Sequence, residues 1–166
     1  MIKINLNENL RNVLLQNDIN PDSDYIPAYG GESAGLDLFN SGEEIVVPTI
    51  NSDNFHHTKI LIPTGLKMSI PKGYVALVQE RGSVTKTPLK VRAGVIDSGY
   101  TGEVFVNCIN TGNENYTITK GNKLPFQIVV VKCENQFEVV SDDEYLDFTS
   151  SSRRKEGQVG SSDKWG

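Results

Sequence analysis

Five short stretches carry side chains whose types and spacing could do chemistry. In Ala93-Gly94-Val95-Ile96-Asp97-Ser98-Gly99-Tyr100-Thr101-Gly102-Glu103-Val104, an apolar segment runs into a lone carboxylate. It then turns through Ser98-Gly99 and leaves past an aromatic into a second apolar run. The pattern predicts a β-hairpin with a glycine-bearing turn. Asp97 there either bonds its own backbone or, with other polar groups around it, holds a water. Residues 33–38 place Asp37 between Leu36 and Leu38, at an outward position of a strand. Glu80-Arg81-Gly82-Ser83 follows an apolar strand and offers a guanidinium, permissive backbone and a hydroxyl, which suit a phosphate. Residues 121–127 open a late strand with Gln127 inside an apolar run. Residues 149–166 combine Arg153, Arg154 and Lys155 with glycines and two hydroxyls, Ser161 and Ser162, a set able to close over phosphates. Singly, each has an ordinary alternative: a turn residue, a solvent-facing carboxylate, a surface ion pair or a disordered tail.

Short β-prone runs must position these groups. They fall at 2–6, 36–39, 44–48, 59–66, 74–80, 91–96, 103–110, 116–118, 124–132 and 136–140, each closed by Gly, Pro, Asn or Ser. Such spacing predicts an all-β sandwich or barrel. One helix is expected over 8–16, where Leu10, Val13 and Leu14 share a face, followed by a loop over 17–31. With 166 residues the chain has the length of one domain, and its net charge of −5 disfavours bulk binding to nucleic-acid backbone. No run reaches membrane-spanning length and no apolar signal core opens the sequence, so a cytoplasmic location is expected (host cytoplasm if the chain is viral or from a phage). Cys108 and Cys133 lack CxxC spacing and read as buried free thiols. The adjacent His56 and His57 would point to opposite faces of an extended chain, a poor metal pair.

Together, and in this order, the five stretches resemble the five motifs of the trimeric dUTPases (dUTP nucleotidohydrolases). The first is Ala34-Gly35-Leu36-Asp37-Leu38, the second Arg81-Gly82-Ser83, the third residues 94–102, the fourth residues 121–127 and the fifth residues 154–162. The resemblance runs from about residue 26 to residue 166. It implies a distorted jelly-roll subunit of the dUTPase-like β-clip type, assembled as a homotrimer. Residues 1–148 would form the β domain, and residues 149–166 a flexible C-terminal lid closing over an active site built by neighbouring subunits. The implied reaction is Mg²⁺-dependent hydrolysis of dUTP to dUMP and pyrophosphate, an in-line attack of water governed by positioning and charge neutralisation.

The resemblance also implies roles. Asp97 would orient and activate the water. Asp37 would support Mg²⁺ through metal-bound water. Arg81, Gly82, Ser83, Gln127, Arg154, Ser161 and Ser162 would hold phosphate oxygens. The backbone of Gly94, Val95 and Ile96 would read uracil, and Tyr100 would pack under the deoxyribose and leave no room for a 2′-hydroxyl. Val159 stands where the family has a phenylalanine over the base, and Trp165 is the residue expected to take over that stacking. Glu80 adds charge near a triphosphate site and is expected to turn away or pair with Lys86. One extra residue before Gln127 predicts a bulge. Two other readings use the same fold. A dCTP deaminase-like or bifunctional nucleotide enzyme would need a glutamate where this chain has Asn107, which cannot shuttle a proton. A non-catalytic dUTP-binding regulatory module would not need the whole set of Asp37, Arg81, Asp97 and Tyr100. The implied partners are dUTP and copies of the chain itself, with neither nucleic acid nor membrane.

Overall fold

The computed structural model describes residues 2–52, 60–134 and 136–151. They belong to two units, a main unit ending at Glu134 and a C-terminal unit after it. The main unit is built on strands β1 (Lys3–Leu6), β2 (Gly35–Phe39), β3 (Ile45–Val47), β4 (Leu61–Ser69), β5 (Tyr74–Glu80), β6 (Leu89–Val91), β7 (Val95–Ile96), β8 (Glu103–Asn110), β9 (Tyr116–Ile118) and β10 (Lys123–Lys132). One four-stranded sheet has the order β1-β4-β8-β6, a second the order β2-β10-β5-β7, and β3 pairs with β9 as a ribbon. The named strand pairs are all antiparallel. The expected all-β class is what the chain adopts.

Period-two alternation makes the core. Val104, Val106 and Cys108 of β8 and Leu124, Phe126 and Ile128 of β10 are buried, and their sequence neighbours face outward. Two buried asparagines staple the turns. The Asn110 amide donates to the Val47 and Glu114 carbonyls while its oxygen accepts from the Gly112 N–H. Asn40 does the same with Glu43, Thr119 and Gly42. Every polar atom of both side chains is thereby used, as burial demands.

Helix α1 (Glu8–Gln16) lies where the apolar spacing predicts it. Asn7 caps it by accepting the Leu10 N–H at 2.8 Å, and Leu10, Val13 and Leu14 are buried. The helix rests on Gly65 of β4. A Cβ there would lie 2.5 Å from Asn7 Oδ1 and 2.7 Å from Leu10 Cβ, and its φ is +70°. A second helix, α2 (Ala28–Gly31), is a single turn interrupted by left-handed Tyr29 and Gly30.

The structure corrects four expectations. The 91–96 run is not one strand. Ala93 (φ 57°) and Gly94 (φ 104°) break it, so β6 stays on β8 while β7 crosses to β5, with Ala76 opposite Ile96 and Leu77 opposite Val95. For the same reason the 93–104 stretch is not a hairpin: β7 belongs to one sheet and β8 to the other, and the chain between them is an arch. Residues 136–140 form no strand within this chain, because alternation alone supplies no edge to pair with. Finally, helix α3 (Asp142–Thr149), capped by Ser141, occupies residues that carried no helix expectation. Its apolar side chains Tyr145, Leu146 and Phe148 are exposed, so no buried stripe advertised it. Among the described residues no helix is long and apolar enough to cross a membrane.

Candidate active site

Asp37 sits at the middle of β2, with leucines buried on either side. It is not the solvent-facing carboxylate its alternation suggested: its side chain is only 16% exposed. Arg81 Nε lies 2.6 Å from Asp37 Oδ1, and Lys123 Nζ lies 2.5 Å from Oδ2. The three groups arrive from three elements. Arg81 follows β5 and caps a 3-10 turn over Gly82–Lys86, with its N–H donating to the Pro125 carbonyl at 2.9 Å. Its Nη1 donates to the Leu124 carbonyl at 3.3 Å and reaches Ser83 Oγ at 3.4 Å. A planar guanidinium pinned at three points is a preorganised anion binder. A Cβ on Gly82 would meet nothing within 4 Å, so the chain leaves open space at that position next to Arg81 in sequence.

Gln127 is opposite Asp37 in the β2–β10 register. The pairing slips between Lys123, opposite Phe39, and Gln127: four residues of β10 face two of β2. An irregularity is expected here from the extra residue, and it sets Lys123 on the Asp37 carboxylate while Gln127 stands opposite Asp37 in the register. Gln127 Nε2 donates to the Glu80 carbonyl at 3.2 Å. The side chain lies flat over Gly35, where a Cβ would be 2.3 Å from Gln127 Oε1. Glu80 turns away from this cluster, pairing with Lys90 at 3.5 Å and accepting the Val91 N–H. Its partner is therefore Lys90, the residue that the β6 strand carries beside β5, and not Lys86. Beneath Asp37, the buried Tyr25 hydroxyl donates to the Asp37 carbonyl at 2.8 Å. Burial first, and the Asp37 charge second, push this phenol well above its usual range, so it acts as a fixed donor.

Asp97 and Tyr100 lie on the arch. The Tyr100 N–H closes a turn onto the Asp97 carbonyl at 3.0 Å, and the Tyr100 hydroxyl donates to the Glu103 carbonyl at 2.7 Å. Gly102 leaves room for this: a Cβ there would stand 2.6 Å from the Tyr100 hydroxyl. Gly94 packs on the Val78 backbone, where an added Cβ would lie 3.0 Å from the Val78 oxygen, and its carbonyl accepts from the Val78 N–H at 2.8 Å. Residues 92–97 and Tyr100 form one side of a cavity of about 310 Å³, with Leu61, Phe105 and Asn107 on the other. The volume suits a nucleoside-sized ligand.

The chain does not bring all its candidate residues together. Asp37, Arg81, Lys123 and Gln127 gather at one edge of the β2-β10-β5-β7 sheet, whereas Asp97 follows β7 at the other. Gln127 faces Gln79 on β5, but Ile96 faces Ala76. Three strand spacings and several residues of rise separate the two carboxylates by roughly 20 Å. Arg154, Val159, Ser161, Ser162 and Trp165, with His56 and His57, lie outside the described residues.

The dUTPase family profile matches residues 23–163. The deoxyuridine 5'-triphosphate nucleotidohydrolase of Fusobacterium nucleatum is 36% identical over 140 residues, covering 81% of this chain and 89% of that protein. The chain belongs to the dUTPase family. Among solved structures, a mutant dUTPase of Staphylococcus bacteriophage 80alpha with dUpNHpp superimposes with a TM-score of 0.72 at 24% identity, covering 98% of both chains. A mutant dUTPase from phage phi11 of S. aureus, in which a structural Mg(II) ion is coordinated, superimposes at 0.63 and 24% identity, covering 86% of this chain and 97% of that one. The dUTPase motifs thus fall on two edges of one sheet, the first, second and fourth around Asp37 and the third around Asp97.

Two participants had no role in the sequence reading. Lys123 was visible inside the fourth motif, but only the bulge aims its ammonium at Asp37. Tyr25 sits in a stretch that reads as loop, and no local signal ties its hydroxyl to β2.

Proposed function

We propose that this dUTPase-family chain hydrolyses dUTP to dUMP and pyrophosphate, with copies of itself completing each active site. The observation that carries this reading is the division into half-sites: a phosphate-type cluster at Asp37, Arg81 and Gln127, and a nucleoside-sized cavity beside Asp97. A triphosphate whose base lies in the arch of one subunit would reach the cluster of the next, which is the arrangement a homotrimer supplies. In that complex Asp97 orients the attacking water and accepts its proton. Arg81 and Ser83 bind phosphate oxygens beside the open position of Gly82, and Gln127 adds an amide donor. Gly94, Val95 and Ile96 line the cavity with backbone groups, and Tyr100 walls its sugar end. Residues 149–166 act as the lid, with Arg154, Ser161 and Ser162 on the phosphates and Val159 or Trp165 over the base.

The donor set also suits Mg²⁺. One carboxylate is enough for a cation that keeps most of its waters, and among the described residues no group of three or more His, Cys, Asp or Glu side chains is arranged to hold a metal ion. Asp37 is the residue that would hold the ion, through its water, with Lys123 yielding its place on the carboxylate. The ion would neutralise triphosphate charge. A cytoplasmic setting agrees with the free cysteines.

The deciding experiment measures pyrophosphate release from dUTP, dCTP, dTTP and UTP. Hydrolysis of dUTP alone, lost in Asp97→Asn, is the expected result. Ammonia release from dCTP, or binding of dUTP without turnover, would sink the proposal.

A further inference from the structure

Building on the dUTP reading above, we propose that Glu80 is a positioning residue. Its carboxylate clasps the free edge of β6 and so fixes the crossing, through Ala93 and Gly94, that leads to Asp97. In an antiparallel pair the N–H groups of a strand point alternately toward its partner and away from it. Val91 is opposite Cys108 in the β6–β8 register, and the Arg92 N–H continues that pairing by donating to the Asn107 carbonyl at 2.8 Å. The Val91 N–H, one residue earlier, therefore points away from β8, off the end of the β1-β4-β8-β6 sheet. Val91 is half-buried, and a backbone donor in such a place needs an acceptor. Glu80 Oε1 accepts it at 3.3 Å, and Glu80 Oε2 lies 3.5 Å from Lys90 Nζ. Glu80 ends β5, a strand of the other sheet. One carboxylate thus ties the two sheets together where the chain passes between them.

The clasp sits at the point that needs it. Ala93 is left-handed (φ 57°), a costly conformation for a residue with a Cβ, and persists only where its surroundings hold it. On its far side the Gly94 carbonyl accepts the Val78 N–H, and β7 goes on along β5 with Val95 opposite Leu77. On its near side, continuing the same ladder would set Arg92 opposite Glu80, but Arg92 has already turned to β8. The Glu80 side chain fills that gap with a carboxylate oxygen. The same residue serves the Asp37 edge through a different atom: its backbone carbonyl accepts the Gln127 amide at 3.2 Å. A change of side chain therefore releases the crossing and leaves the Gln127 bond in place. The pairing with Lys90 is long and partly exposed, so it contributes little; the bond to the Val91 N–H carries the role.

The test compares the intact wild-type protein with Glu80→Ala, Glu80→Gln and Lys90→Met. Amide hydrogen exchange, followed by mass spectrometry, reads the crossing directly. In Glu80→Ala residues 91–97 should exchange about tenfold faster, the scale of one lost hydrogen bond, with β8 and β10 unchanged. Glutamine keeps an acceptor oxygen and should restore slow exchange. Lys90→Met keeps the bond to Val91 and should stay within about twofold of wild type. Calorimetry then separates the two ends of residue 80. Affinity for dUMP, the ligand assigned to the cavity beside Asp97, should fall about tenfold in Glu80→Ala. Affinity for pyrophosphate, assigned to Asp37, Arg81 and Gln127, should stay within about twofold, because the carbonyl of residue 80 survives the substitution. A general loosening of the fold would weaken both. Unchanged exchange over 91–97 in Glu80→Ala, equal losses of dUMP and pyrophosphate, or a Glu80→Gln or Lys90→Met protein that exchanges as fast as Glu80→Ala would each overturn the inference. Exchange is read without turnover, so a wild type silent toward dUTP would count against the hydrolase reading alone.

Discussion

At the scale of the residue, two side chains make opposite use of their surroundings. Asp97 stands on an arch beside an open cavity, where a carboxylate can hold and deprotonate water. Replacing it with asparagine keeps the shape and removes the base, so kcat for dUTP should fall about 10²–10⁴-fold while dUMP binding stays within a few-fold; stopped-flow release of pyrophosphate and calorimetry separate the two. Cys108 is buried in β8, and burial pushes its thiol up to about 12 from 9.0. A raised folded-state pKa means stability that is complete below pH 9 and is lost as pH rises from 9 toward 12. The melting temperature should therefore decline above pH 9, and the decline should be shallower in Cys108→Ala. An identical slope in both proteins would show that other groups, Tyr25 among them, carry the whole effect.

At the scale of the element, the β2–β10 pair governs the cluster around Asp37. The bulge before Gln127 turns Lys123 onto Asp37, and Gly35 gives the Gln127 side chain a flat bed. A methyl group there would sit 2.3 Å from Gln127 Oε1, closer than van der Waals contact allows. Gly35→Ala should expel the side chain, cost about 1–3 kcal/mol of stability and raise KM for dUTP more than it lowers kcat. Urea unfolding and steady-state kinetics measure the two effects. Helix α1 supports the opposite sheet through β4. Leu14 is fully buried, and Leu14→Ala should cost about 2–5 kcal/mol with KM for dUTP changed far less than stability, since Leu14 lies in the core and not at Asp37 or Asp97.

At the scale of the whole molecule, the separation of the Asp37 edge from the Asp97 arch, with the proposed sharing of sites between subunits, makes a prediction that no single subunit could satisfy. Asp37→Asn and Asp97→Asn should each be inactive as pure proteins. Unfolded together and refolded as a mixture, they should recover part of the wild-type rate, because some interfaces then pair an intact Asp37 edge with an intact Asp97 arch. Mixtures that stay as inactive as their components would mean that each chain builds its site alone.

Most strand positions, helix α1 and the irregularity before Gln127 were legible in the sequence because each depends on neighbours a few residues apart: alternation, a 3.6-residue period, a length mismatch. The arch was not. Val91 to Ile96 reads as one apolar run, and only the left-handed Ala93 and Gly94, settled by packing against Val78, send β7 to a different sheet from β6. Nor could the chain order say that Lys123 and Tyr25 meet at Asp37, that Glu80 finds Lys90, or that Arg92 and Asn107 stand side by side. Those contacts join residues far apart in the chain, and their geometry follows from strand order and register. The sequence by itself determined which chemical groups the protein carries and the family it resembles. The tertiary structure decided which groups share an edge and left Asp97 an entire sheet away from Asp37, since hydrogen-bond pairing between strands, and not proximity along the chain, sets distance in a sheet.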